Sequence, residues 1–261
     1  MILQKIIDKI ESFAPLCMAC EGDNPGLMFG KNDKEIKKVL VALDVDLGVI
    51  REAKETGADL ILTHHPLMFD PIRQINETTP AGRCLLELAE NNIALYSAHT
   101  NLDSAKGGLN DIFADKLDIS DTKPIEITFT DEDGTAYGIG RVGTIENEMT
   151  LSEFAAFVCK KFNLPSTNYV GNGNAKIKTV AVCSGSGASL LSDVSADVYV
   201  TGDIKYSNAR NAADAGQNLV IAGHFETEIC AMEVFKEILS DCPVEVVFSE
   251  ANKNVFNYTE G

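Results

Sequence analysis

The sequence predicts an α/β protein of two lobes built on mainly parallel sheets, and three observations predict it. Short apolar runs of strand length recur along the chain, at residues 39–43, 60–62, 93–97, 179–183, 198–200 and 219–222. Segments with a 3.6-residue apolar period stand between them, so strands follow helices and need crossover connections, which favours parallel pairing. Between residues 118 and 143 the texture changes to a hairpin pattern, separating two such series. The seam falls near residue 124, giving lobes 1–124 and 125–261, with the last strand able to return to the first lobe.

Taken in order, Ile6, Ile7, Ile10 and Phe13 give an amphipathic helix that stops before Pro15. Residues 39–43 form a buried strand ending at Asp44; 49–56 form a helix closed by Gly57; 60–62 form a strand running into His64 and His65. Residues 80–90 read as a helix with Pro80 at its start, where a missing N–H costs nothing. The strand 93–97 delivers His99, and Gly107-Gly108 precede a helix carrying Ile112, Phe113 and Leu117. A hairpin turns at Asp131-Glu132-Asp133-Gly134 and continues through 137–142. A helix over 151–162 ends before Pro165. Strand–helix alternation then resumes, closing with one helix over 226–239 and a strand over 244–248.

Composition bounds the function. The chain has 261 residues, of which 45% are hydrophobic, enough for one full core or two modest ones. A formal charge of −17 argues against nucleic acid, because phosphate binding needs clustered Lys and Arg. The start of the chain is amphipathic, with Asp8 and Glu11, rather than a signal peptide. No apolar stretch approaches the ~20 residues of a membrane helix. Seven scattered cysteines do not form the dense, even pattern of a secreted framework. A reducing cytoplasm is the expected compartment.

All four histidines sit in three short segments: Thr63-His64-His65-Pro66, His99-Thr100-Asn101-Leu102-Asp103 and His224-Phe225-Glu226-Thr227-Glu228. Each segment follows an apolar strand, and ligands in open α/β sheets bind beyond the carboxyl ends of strands. His224 and Glu228 are four apart at a helix start, so they share a face. Imidazole with carboxylate, and no Cys, is a donor set for divalent metals rather than for a structural zinc. His64, His65, His99, Asp103, His224 and Glu228 exceed what one ion takes, so two ions ~3.5–4 Å apart are expected, bridged by Asp103 or Glu228. The bland alternative is a set of surface histidines at strand ends, with His64 and His65 facing opposite ways.

Other features carry two readings each. Ser184-Gly185-Ser186-Gly187 follows a strand and is either a backbone nest for a substrate anion or a plain tight turn. Glu226 is either a general base or an acidic residue favouring a helix N-terminus. Asp44 and Asp203, at strand ends, suit partners for the second imidazole nitrogen. Lys205 and Arg210 are either anion clamps or surface charges. The single Cys17-Met18-Ala19-Cys20 pair lacks a second pair to complete a zinc site.

Together with Asp23-Asn24-Pro25-Gly26-Leu27, Leu43-Asp44 and Thr201-Gly202-Asp203, the histidine segments resemble the Nif-three-like family, many of whose members are called GTP cyclohydrolase 1 type 2 homolog. The resemblance implies two α/β lobes with a dinuclear metal centre in the cleft between them, and a ring-shaped hexamer with its sites facing an internal cavity. Its ligand positions fall on the same six residues. Three positions depart from the family pattern: Gly22 stands where Trp is usual before Asp-Asn, Tyr206-Ser207 replace a common His, and the tail 258–261 differs.

Two ions would lower the pKa of a bridging water from 15.7 to about 7 and polarise a small substrate, such as a nucleotide or phosphoester, for hydrolysis. The alternative is a non-catalytic metal-binding scaffold; an oxidoreductase-like iron site is a third reading. Zn, Fe or Mn suit the donors equally well, and the donors alone do not select a purine ring.

Overall fold

The computed structural model describes residues 1–257 and Thr259; of the divergent tail, Tyr258, Glu260 and Gly261 lie outside the described residues. The chain begins with helix α1 (Leu3–Phe13), strand β1 (Gly26–Phe29), β2 (Lys38–Ala42), α2 (Leu47–Thr56), β3 (Leu60–Thr63), α3 (Pro80–Glu90), β4 (Ala94–Ser97) and the short α4 (Thr100–Ser104). Then come α5 (Leu109–Lys116), β5 (Ile119–Lys123), β6 (Glu126–Thr130), β7 (Ala136–Ile139), β8 (Arg141–Thr150), α6 (Leu151–Lys161) and β9 (Asn168–Val170). It ends with β10 (Lys176–Cys183), β11 (Val198–Thr201), α7 (Tyr206–Asp214), β12 (Leu219–Ile221), α8 (His224–Glu228), α9 (Ala231–Ile238) and β13 (Glu245–Phe248).

The chain divides into two compact units, Met1–Leu102 with Ala231–Phe256, and a second covering Asp103–Cys230. The division therefore falls some twenty residues before the seam expected near 124, and Asp103, expected in the first lobe, lies in the second unit. The segment Ala231–Phe256 belongs to the first unit, as β13 pairs parallel with β2. The single helix expected over 226–239 is two helices, interrupted at Ile229 and Cys230, where the chain passes from one unit to the other.

The first unit holds a five-stranded sheet in the order β1-β4-β3-β2-β13, parallel except where β1 runs against β4. Its central strands are buried on both faces, as parallel strands between helices must be. Leu40, Ile61 and Leu95 join α2 and α3 in one apolar cluster with Ile50, Leu85 and Leu88. Val39, Val41, Leu60 and Leu62 alternate with them, equally buried, while α1 and α9 pack together and α9 lies against β2. The helices start where capping chemistry dictates. Asp46 accepts the N–H of Val49 for α2, and Thr79 accepts that of Gly82 for α3, with Pro80 following.

The carboxylate of Glu52 on α2 straps the chain beyond β13. It accepts the Ser249 hydroxyl and the N–H groups of Glu250 at 2.8 Å and Ala251 at 3.1 Å. Burial alone would raise its pKa, but these three donors outweigh burial and hold it below the ordinary 4.5. A depressed carboxylate stabilises fully above its unfolded pKa and loses that contribution as pH falls. Glu52→Ala is expected to cost about 1 kcal/mol at neutral pH after solvent screening, with the deficit shrinking on acidification below about pH 4.5, in urea titrations of both proteins across pH.

The second unit holds a six-stranded sheet in the order β5-β8-β10-β11-β12-β9, parallel across β10, β11 and β12 and antiparallel at its other pairs. Val180, Val182, Val198, Val200 and Val220 form its apolar face under α6 and α5, which contribute Leu151, Phe154, Val158, Phe113 and Ala114. Thr150 and Glu153 form the capping box of α6. The hairpin expected around Asp131–Gly134 is present as β6 and β7, but the run 137–142 is not one strand. Gly140 breaks it at φ +65°, with a Cβ there only 2.6 Å from Ile125 Cδ1, and β8 departs for the larger sheet. The α/β fold with parallel strands at the heart of each unit is thus as the sequence predicts.

Candidate metal site

In the first unit, β3 and β4 end side by side, with Thr63 opposite Ser97 in register. The residues beyond their carboxyl ends, His64 and His65 after β3 and His99 after β4, are therefore neighbours. His64 and His99 have ring centroids 5.1 Å apart, His64 and His65 5.1 Å, and His65 and His99 5.7 Å. One nitrogen from each ring lies within 4.8 Å of the others. His64 is fully buried and His65 half-buried, yet both rings belong to the cluster because the strand has ended before them.

The remaining nitrogen of each ring is held by an oxygen. His64 Nδ1 lies 2.9 Å from the Ala98 carbonyl, His65 Nδ1 2.7 Å from Asp44 Oδ1, and His99 Nδ1 2.7 Å from Asp23 Oδ1. An acceptor at Nδ1 fixes the tautomer in which Nδ1 carries the proton and Nε2 the lone pair, the form that binds metal. Asp44 is itself steadied by the strap after β13, since Asn252 Oδ1 accepts the N–H groups of Leu43 and Asp44 at 3.1 Å each.

Asp23 had no role assigned from the sequence. Its side chain is only 2% exposed and also accepts the N–H of Thr100 at 3.0 Å and the Thr100 hydroxyl. Burial pushes its pKa up, but the hydrogen bonds from His99 and Thr100 prevail and bring it down to about 2, so it stays ionised through the neutral range. Its motif position marked it as notable; nothing in the spacing paired it with a histidine 76 residues away. The neighbouring Cys17-Met18-Ala19-Cys20 stretch begins inside a 3-10 turn (Leu16–Met18), with the Cys20 N–H donated to Thr100 Oγ1 at 2.9 Å, and no disulfide joins the described cysteines. Gly22, in place of the family's Trp, has no atom within 4 Å of where a Cβ would project.

In the second unit, Glu228 Oε2 lies 2.9 Å from His224 Nε2, and Asp203 Oδ2 lies 2.7 Å from His224 Nδ1. The sequence reading of Asp44 and Asp203 as imidazole partners thus matches the hydrogen bonding. With a carboxylate at either nitrogen, led by the hydrogen bond to Glu228, the pKa of His224 rises to about 9. In the metal-free chain it therefore holds protons on both nitrogens at neutral pH, and any cation must displace the one at Nε2. Asp103 is buried and accepts the Ser184 hydroxyl at 3.3 Å, while Asn110 Nδ2 donates to the Asp103 carbonyl at 3.2 Å.

The loop Ser184-Gly185-Ser186-Gly187 packs against these donors, in keeping with its tight-turn reading. The N–H groups of Ser184, Gly185 and Gly187 go to Asn110 Oδ1, Thr227 Oγ1 and Thr201 Oγ1, so three of the loop's four amides are spent inside the protein. Gly185, at φ +58°, packs so tightly that a Cβ would sit 1.9 Å from Glu228 Oε1. Glu226 folds back over the start of α8, where a Cβ on Gly223 would lie 2.2 Å from its Oε2. That placement fits the helix-terminus reading of Glu226. Arg210 pairs with Asp214 at 2.9 Å on an exposed helix face, the surface-charge reading of that residue. Tyr206, in place of the family's His, is 84% exposed at the start of α7.

Borderline imidazole donors with oriented second nitrogens in the first unit, and a His/carboxylate set in the second, fit divalent cations. Among the described residues no helix is long and apolar enough to cross a membrane.

The model of the Duf34/NIF3 (NGG1p interacting factor 3) family matches residues 1–255. A GTP cyclohydrolase 1 type 2 homolog of Clostridium perfringens is 40% identical over 99% of this chain and 100% of its own length. Among solved structures, a Bacillus cereus protein related to NIF3 superposes with a TM-score of 0.89 at 25% identity, covering 99% of each chain. Reduced HcgD from Methanocaldococcus jannaschii does so with 0.82 at 38% identity, over 96% of this chain and 98% of that one.

Proposed function

The chain belongs to the Duf34/NIF3 family, and from that premise we propose that it binds two divalent metal ions and acts as a metal-dependent hydrolase on a small molecule such as a nucleotide or phosphoester. The observation that supports this most is the three-histidine set, each ring with its Nδ1 engaged by an oxygen and a nitrogen turned to the others. Asp103 and Glu228 would add carboxylate oxygens to this imidazole set.

Bound cations supply a coordinated water ionised near neutral pH and a Lewis acid for the substrate. The chain's own part is to hold Nε2 of His64, His65 and His99 as lone-pair donors and to keep Asp23 ionised behind His99. Ser184 orients Asp103, and Gly185 lets the loop close against Glu228. The ring-shaped hexamer is part of the same proposal, and light scattering of the purified chain counts its copies. The Clostridium perfringens relative is named GTP cyclohydrolase 1 type 2 homolog, but nothing in this donor set selects a purine nucleotide over another phosphoester.

Elemental analysis of protein purified without added metal is expected to find two ions per chain. Turnover of a nucleotide and phosphoester panel is expected to be lost in Asp103→Asn. Two tightly held ions with no turnover of any substrate would instead favour a metal-binding scaffold, and turnover surviving Asp103→Asn unchanged would remove the centre from catalysis.

A further inference from the structure

Phe69 is an exposed aromatic ring set beside the three-histidine set. It follows His65 by four residues on irregular backbone, its centroid is 6.1 Å from that of His99 with the planes at 90°, and it is 53% exposed. The same segment leaves Ile72 and Ile75 exposed among polar neighbours. The fold does not bury this ring, so packing does not account for it.

The segment is nevertheless anchored next to the ring. Asn24 Nδ2 donates to the Met68 carbonyl at 2.6 Å, and Asn24 directly follows Asp23, whose carboxylate fixes His99. One dipeptide thus orients both an imidazole of the site and the backbone that presents Phe69. A platform held in this way gives up little conformational freedom when a ligand settles on it.

We infer that Phe69 is a substrate-positioning residue whose ring takes the planar, unsaturated part of a molecule held by its polar end at the histidine set. The assignment rests on the reading of the site as a metal-dependent centre for a small molecule. It names the substrate class as one joining an anionic group to a flat ring, which stacks on an aromatic side chain whatever its exact heteroatoms.

The test is calorimetric titration of zinc-loaded full-length chain with phenyl phosphate and with methyl phosphate, in the wild type, Phe69→Ala and Phe69→Tyr. Phenyl phosphate is expected to bind the wild type about tenfold tighter than methyl phosphate, the scale of one aromatic stack. That preference should fall to about twofold or less in Phe69→Ala and return in Phe69→Tyr, while methyl phosphate binds all three alike. An undiminished phenyl preference in Phe69→Ala overturns the assignment and leaves the metal reading intact, as does equal loss of both ligands. A changed number of copies in Phe69→Ala, seen by light scattering, identifies the ring as a contact between copies and overturns the assignment too. Failure of the zinc-loaded wild type to bind either phosphate overturns the hydrolytic reading and the assignment with it.

Discussion

His64→Ala is expected to weaken zinc binding by more than about 100-fold, above the ~10–100-fold typical of losing a partner behind a ligand. His64 is fully buried, and its ring orientation is set by the Ala98 carbonyl, so no other side chain can swing in to replace it. Asp23→Asn gives the internal comparison. It leaves all three imidazoles in place but replaces the charged acceptor behind His99, so its loss should fall within ~10–100-fold. Competition against a chromophoric chelator measures both. The same experiment has a thermal readout. Zinc at 100 times its dissociation constant should stabilise the wild type by about 2.7 kcal/mol, or roughly 5–10 °C in a chain of this size, and His64→Ala should lose that shift. Because removing a buried ring also opens a cavity, the melting of the metal-free variant is recorded alongside. Zinc affinity in His64→Ala equal to that of the wild type would show that the three-histidine set does not bind zinc.

Phe154→Ala carries the largest expected effect on stability alone. Phe154 on α6 is fully buried against the valines of β10, β11 and β12, with the Phe157 ring 6.1 Å away. Deleting a buried phenyl ring loses its transfer free energy and leaves a cavity, together about 3–5 kcal/mol. In a protein of this length that lowers the melting temperature by roughly 10 °C. Calorimetry checks it, with zinc stoichiometry as the control. The variant should melt earlier yet bind the same number of ions, because Phe154 packs within the apolar core of the second unit. A variant that also lost zinc would show that the apolar core of the second unit and the donor geometry are one cooperative unit.

Much of this molecule is legible in the chain itself. The strand-length apolar runs and the helical periodicity lie where the elements form, and Pro80, Gly57 and the Thr150/Glu153 pair mark helix ends by their own chemistry. His64, His65 and His99 could be grouped because each follows a strand, and adjacent parallel strands bring their carboxyl ends together. Misreadings came where a local pattern continued across a change of partner. The run through Gly140 looks like one strand, but its two halves pair in different sheets. The residues 226–239 keep a helical period although the helix is broken and its halves lie in different units. The glycine-serine loop admitted both a nest and a tight turn, because composition shows how many amides it has, not which acceptors three of them already serve.

By itself the sequence determined the α/β alternation, a donor set that could hold a metal ion and the end of the sheet at which the first three donors gather. These follow from side-chain type and from periods of two and 3.6, which record which faces are buried. Only the tertiary structure decided that Asp23 stands behind His99, that Asn24 anchors the segment bearing Phe69, and that the chain changes unit at Asp103 and again at Ala231. Those choices turn on satisfying buried polar groups across long loops, and no spacing along the polypeptide encodes which distant acceptor will meet a given donor.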